Sequence, residues 1–486
     1  VKDDREKNAE DSVRQHNIIA WLVASAVIAI ATPALAAENE PTTGARKPAS
    51  TFDALIDEEL AGGGLTSDEV ARRSSATSPS IRAQNEELVA AEAEVAAATA
   101  AYVPTTKLTA RYTRLSDTQG EPIAGVPLQF EQPLDQYTLQ AGVTVPVSDY
   151  FLRVGPSRDA AKFVRTAAAK NLVAERSRTD SDARLAYYSW VEARLRVIVA
   201  EQALAQSTAH LADAKAQFAA GTASQADVMR IESEVAKSEL LVTQSRHLSD
   251  LNEERLRTSM HEPSAGSFRI GEDIRKPVAS RTEASLAALW SEAVANRPEL
   301  AAYRASQSAQ EKSASVERAG YAPRVDLFAN AQYAKPNSRV FPVADEFRGS
   351  WDAGVQLTWT ISDIPGTRAR ARGADARARV TQAEREDLLD RIRIEVMAAR
   401  QEVEQARIAE GTTLRGLLAA EESYRARHLL YQNGRATTVE LLDAETDLTG
   451  ARLDAIDARI DARVAEVRLA HAVGRNLGDA RGRKAP

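Results

Sequence analysis

The chain has no cysteine, which excludes disulfides, thiolate metal sites, cysteine nucleophiles and a lipid-modified N-terminal cysteine. Aromatics make up only 5% of 486 residues, and much of the 44% hydrophobic content is alanine. Such a composition cannot fill one wide globular core. It suits thin packing in which small residues let helices approach closely. The net charge of −7 is small for this length and gives no nucleic-acid footprint. Motifs for catalysis are missing too: there is no Gly-x-Ser-x-Gly, phosphate loop or dinucleotide fingerprint. His16, His210, His247, His261, His428 and His471 are scattered, with no close metal-ligand pair. The sequence therefore predicts neither an enzyme nor a metal- or cofactor-binding protein.

Long apolar runs are also scarce. The longest, Ile18 to Ile30, falls short of the ~20 residues a spanning helix needs. Arg14 and His16 precede it, and Ala34 and Ala36 in Thr32–Ala37 occupy the small-residue positions of a cleavage site. Residues 1–36 read as a secretory signal peptide. A protein that enters a membrane after export without such a helix must do so as strands. Proline is missing from residues 157–262 and 366–485. An unbroken helix from Ser157 to Phe218 would reach on the order of 90 Å, against a usual helix of about 11–12 residues.

What is present is a duplication. Ser78-Pro79 returns as Arg297-Pro298, and Ala101-Tyr-Val-Pro104 returns as Gly320-Tyr-Ala-Pro323, both 219 residues later. Phe218 to Val228 returns as Tyr431 to Leu441. Residues 37–64 read as a flexible segment, 65–262 as repeat one, 263–282 as a connector, 283–477 as repeat two and 478–486 as a basic tail. Each repeat opens with a helix (Ser80–Ala101, Glu299–Ala319) that the Tyr-x-Pro proline ends. Two strands follow, then two long helices parted by a glycine.

The long helices carry a heptad stripe: Trp190, Val197, Leu204, Leu211 and Phe218, each followed three residues on by a small residue as far as Ala214. Val228, Val235 and Val242 continue it past Gly221, accompanied by Ile231, Ser238 and Ser245. A period of seven keeps one stripe facing a partner helix.

Between the helices the period becomes two. Strands are predicted at 106–115, 137–147, 325–333 and 351–361, with one apolar face and one polar, barely charged face. Their length suits a tilted membrane strand. Tyr112, Tyr137, Tyr333, Trp351 and Trp359 lie near the ends, where outer-membrane barrels carry interfacial aromatics. Four strands cannot close a barrel, and lipid allows no open edge. Several chains must pool strands; three would give twelve, though strand count alone does not choose three over two or four.

These paired helix–Tyr-x-Pro–strand openings resemble the TolC-like outer-membrane efflux proteins. So do the Ala-Gly-Val strands (Ala141–Val143, Ala353–Val355) and the turn motifs at Phe218–Val228 and Tyr431–Glu445. The resemblance covers residues 65–477. It implies a mainly α chain with a transmembrane β-barrel, built from duplicated helix–β-hairpin–long helical hairpin repeats. It also implies a homotrimer with a shared twelve-stranded barrel and an α-helical tunnel through the periplasm. It further implies a place in the outer membrane of a Gram-negative bacterium, and docking to a periplasmic membrane-fusion adaptor. Through the adaptor the chain would serve an inner-membrane pump of RND or ABC type, in efflux or type I secretion. Family members carry acidic residues at the positions of Asp227, Glu440 and Asp443, which places the aperture at Asp227, Tyr431, Arg435, Glu440 and Asp443. The tip turns, with Gly221, Thr222, Gly434 and Ala436, would meet the adaptor. The family's locking arginine matches Ala436, so it is missing; Arg435 lies one residue earlier. In a trimer each inward carboxylate becomes a ring that binds cations and raises its own pKa. The bland role for Asp227 and Glu440 is to cap the following helix. A coiled-coil periplasmic adaptor or structural scaffold is the competing function; four strands of membrane length weigh against it.

Overall fold

The computed structural model describes residues 56–116, 133–263, 266–276, 284–341 and 343–475. The expected signal peptide, the first part of the 37–64 segment and the basic tail lie outside the described residues. In chain order the elements are β1 (Leu60–Leu65), α1 (Ser67–Thr77), α2 (Pro79–Ala100), β2 (Thr105–Arg114), β3 (Asp135–Val145), α3 (Gly155–Ala219) and α4 (Gln225–Met260). Then come α5 (Leu286–Asn296), α6 (Pro298–Arg318), β4 (Arg324–Lys335), β5 (Arg348–Thr358), α7 (Ile364–Gln432) and α8 (Thr438–Ala472).

The duplication is exact at element starts. α1, α2 and β2 return 219 residues later as α5, α6 and β4, while β3 and α4 return 213 residues later as β5 and α8. The hairpin loop of the second copy is therefore six residues shorter. Each repeat opens with two helices, where the sequence predicted one. Pro79 and Pro298 take the first turn of α2 and α6, positions that need no N–H, and their predecessors turn the chain out of α1 and α5. The missed signals are the caps: the Thr66 hydroxyl accepts from the Glu69 N–H, and the Ser285 hydroxyl from the Ala288 N–H.

The four long strands form one antiparallel sheet in the order β2-β3-β4-β5. Its register lines up every apolar residue. Leu108 faces Ala141, which faces Ala331, which faces Trp351; Ala110 continues through Leu139 to Tyr333; Val145 continues through Leu327 to Val355. The opposite face carries Thr109, Gln140, Gln332 and Ser350 in one row. It is more charged than expected, since Lys107, Arg111, Asp326 and Asp352 share that face. On it the Phe328 ring crosses Gly354, where an added Cβ would come within 3.0 Å of the ring. β2 and β5 are the outer strands and have one unpaired edge each. β5 ends at Thr358, so Trp359 stands just outside it, where the chain bends into a helical turn at Ile361–Asp363. No helix among the described residues is long and apolar enough to cross a membrane.

α3 has 65 residues and α7 has 69, so each extends about 100 Å at 1.5 Å per residue. The heptad stripe is real, but its small members face inward. Ala193, Ala200, Ser207 and Ala214 are all at or below 1% exposed, while Phe218 is 48% exposed. Ile231, Ser238 and Ser245 are likewise the buried members on α4. Small side chains let the backbones close in, and the larger ones flank the contact.

The main core gathers Trp190, Tyr187, Leu195, Leu256, Ile456 and Ile460 from α3, α4 and α8. Two segments expected to be a flexible tail and a plain connector dock into it. Ile56 and Leu65 are buried there, as are Ile270 and Ile274. The Leu65 N–H donates to the Arg269 carbonyl and the Gly271 N–H to the Leu65 carbonyl, both at 2.8 Å. The Tyr187 hydroxyl donates to the Leu65 carbonyl at 2.9 Å. Residues 56–64 are thus ordered, because burying their apolar side chains and pairing their backbone offsets the entropy of fixing them.

Candidate functional site

Both long hairpins turn in the same way. At the end of α3, Gly221 has φ +76°; its N–H reaches the Phe218 carbonyl, and the Thr222 N–H reaches the Gln217 carbonyl. At the end of α7, Gly434 has φ +68°, with its N–H on the Tyr431 carbonyl and the Arg435 N–H on the Leu430 carbonyl. This pair of bonds closes a helix when a left-handed residue follows it, and glycine takes that conformation without a Cβ penalty.

Two residues later each next helix begins with a capping box. The Ser224 hydroxyl accepts from the Asp227 N–H, and Asp227 Oδ2 accepts from the Ser224 N–H, both at 3.2 Å. On α8 the Thr437 hydroxyl accepts from the Glu440 N–H at 3.3 Å, and Glu440 Oε2 accepts from the Thr437 N–H at 2.9 Å. Asp227 and Glu440 are therefore capping residues in the single chain. The Ser224 hydroxyl foremost holds the Asp227 carboxyl below the usual range, and the Thr437 backbone N–H foremost does so for Glu440. That direction is opposite to the one ring repulsion would give, because the capping donors belong to the same chain and the other carboxylates of a ring do not.

Glu440 has a further partner that no sequence spacing revealed. Arg427 Nη1, on the facing helix α7, donates to Glu440 Oε1 at 2.7 Å. Asp443 lies one turn along α8 on an exposed position, and no hydrogen bond or ion pair reaches its side chain among the described residues. Arg435 is also exposed, with no side-chain partner among the described residues, and Ala436 is half-buried beside it. Tyr431 is buried, and its hydroxyl donates to Gln217 Oε1 at 3.3 Å, which ties α7 to α3. Ala214 and Ile231 pack with Leu442, tying the first hairpin to α8. The turns thus stand side by side on one packed base, with Gly221, Thr222 and Gly434 exposed.

At the other end of the helices the aromatics form a continuous patch near the strand loops. The Tyr112 and Tyr137 rings are 5.1 Å apart, and Phe347, missed in the sequence, stacks on Tyr333 at 5.3 Å. Trp351 is exposed on the same apolar face. Toward the helices, exposed Trp359 and Ile361, and Tyr102 stacked on Tyr150 at 5.6 Å, mark a second band. Two aromatic bands bounding an apolar face are the pattern of a membrane-spanning barrel wall.

Solved structures share this architecture. The chain is similar to CusC, described with transmembrane channel formation, at TM-score 0.73 and 16% identity, covering 86% of this chain and 93% of that one. It is similar to the outer membrane protein VceC from Vibrio cholerae at TM-score 0.71 and 17% identity, covering 85% and 96%. It is also similar to the open state of the MtrE outer membrane channel of Neisseria gonorrhoeae at TM-score 0.71 and 17% identity, covering 85% and 89%. No curated protein sequence matches the chain. The model of the outer membrane efflux protein family matches residues 70–260 and 289–475, one stretch per repeat, and the chain belongs to that family.

Proposed function

We propose that three copies of this chain close one twelve-stranded barrel in the outer membrane of a Gram-negative cell. Their helices then line a tunnel that serves as the exit duct of a tripartite efflux or type I secretion system. The observation that carries this is the sheet: four antiparallel strands with an unbroken apolar face and an unpaired edge on β2 and on β5. Unpaired backbone groups in lipid cost several kcal/mol each, so the edges must meet those of other copies. The tunnel passes cargo without changing it.

The turns at Gly221, Thr222, Gly434 and Ala436 form the tip that meets a periplasmic adaptor, and through it an RND or ABC pump. Asp443, uncompensated within its chain, becomes a ring of three at the tip aperture. Glu440 is held in its cap and by Arg427, so it contributes less free charge there. The Arg427–Glu440 pair fastens α8 to α7 within one hairpin, and Arg435 is left free to reach a neighbouring copy in place of the arginine that Ala436 lacks.

Planar-bilayer recordings with a trivalent cation added on the tip side test the ring. Asp443→Ala, alone or with Glu440→Ala, is expected to raise the half-blocking concentration about tenfold or more, equivalent to about 1.4 kcal/mol of lost binding. Glu440→Ala alone is expected to have the smaller effect. Unchanged block in the double variant would remove the acidic ring from the account.

A further inference from the structure

A polar cluster that the aperture does not use is buried just above the tip. Glu445 lies seven residues into α8, about 10 Å from its start, and His210 lies nine residues before the end of α3, about 14 Å away. His210 is 3% exposed and Glu445 5%. His210 Nε2 is 3.1 Å from the Tyr424 hydroxyl on α7, and 3.7 Å from Glu445 Oε2, beyond hydrogen-bond reach. The His428 ring lies 5.4 Å from the His210 ring and stacks on Tyr424. Glu445 Oε2 and His210 Nδ1 have no hydrogen-bond partner among the described residues. A cavity of about 250 Å³ between α4 and α8, lined by Glu234, Lys237, Ser238, Thr446 and Thr449, leads to the Glu445 carboxyl.

The cluster joins the two hairpins. Contributions come from α3 (His210, Asp213), α4 (Glu234, Lys237), α7 (Glu421, Tyr424, His428) and α8 (Glu445, Arg452). Burial, reinforced by Glu234, pushes the Glu445 carboxyl up to about 7. Burial, reinforced by His428, pushes His210 down, so it does not supply a cation to offset that carboxylate at neutral pH. Lys237 is engaged with Glu234 at 2.9 Å. Tyr424 is raised to about 12, mainly by burial, and stays neutral.

We propose that Glu445 is a proton-operated latch between the two helical hairpins: protonated, it stays in the seam beside His210; ionised, it seeks water along the cavity and frees the first turns of α8 from α3. A carboxyl whose packed-state pKa lies above its ordinary value favours packing most at low pH. That preference falls away as pH rises from the ordinary glutamate range through about 7. The same turns of α8 carry Glu440, Leu442 and Asp443, so the latch would set how readily the aperture widens, a consequence that rests on the duct proposed above.

Hydrogen–deuterium exchange on the full-length protein in detergent tests the latch itself. After correction for intrinsic rates, protection of amides 438–452 is expected to fall about thirtyfold between pH 5.5 and pH 8.5. Glu445→Gln and Glu445→Leu, both neutral, are expected to abolish the pH dependence; the second serves if the first does not assemble. A pH-independent wild type, or an equal slope in either variant, overturns the latch. Single-channel conductance of the same proteins separates the two proposals. Absence of pores at every pH would sink the duct and leave the exchange result standing, and pores whose pH response survives Glu445→Gln would overturn the coupling to the aperture.

Discussion

Glu440 shows how much one carboxylate near a turn is asked to do: it closes a capping box with Thr437 and accepts from Arg427 at once. Its lowered pKa means this support is present above the ordinary glutamate range and is lost as pH falls through the folded value. Asp443, three residues on, has no such duties. The turn glycines are equally specific. At Gly434 an added Cβ meets nothing within 4 Å, but φ is +68°, so the penalty is in the backbone alone. Gly434→Ala is expected to destabilise the hairpin by about 1–2 kcal/mol. Gly416, inside α7 with open space around its Cβ position, is the control: Gly416→Ala is expected to stabilise by about 0.5–1 kcal/mol. Thermal melts followed by circular dichroism would show shifts of opposite sign; equal shifts would contradict the left-handed turn.

The elements were legible in the sequence where local chemistry decides them. Proline spacing announced the long helices, alternation announced the four strands, and glycine followed by Ser or Thr announced both turns. The parts that were not legible depend on distant partners. Nothing near Leu65 in sequence says that it will pair with Arg269 and Gly271, or that Ile56 will reach the Trp190 core. Arg427 meets Glu440 only because the hairpin folds back. The heptads gave the stripe but not its inward half: Ala193, Ala200, Ser207 and Ala214 lie deepest because close helix approach leaves no room for larger groups. Ala200→Leu is therefore expected to cost about 1–3 kcal/mol by overpacking, more than trimming the half-buried Leu204 to Val. Melting temperatures of the two variants would check the order. A harmless Ala200→Leu would mean that the seam is loose.

At the scale of the whole molecule, duplication becomes a statement about assembly. Each chain supplies two β-hairpins and two long helical hairpins in near-equal copies, so three chains make a ring with six similar units. The copies differ where function concentrates. Repeat two has Asp443 where repeat one has Arg230, and a hairpin loop six residues shorter. A single sheet with two free edges, apolar on one face and polar on the other, is incomplete by itself in a bilayer. The most direct test is electron microscopy of the full-length chain purified in detergent. The account predicts a three-fold particle, with a twelve-stranded barrel at one end and a helical tunnel about 100 Å long ending in the Gly221 and Gly434 turns. A monomer without a pore, or a ring of another copy number, would contradict it.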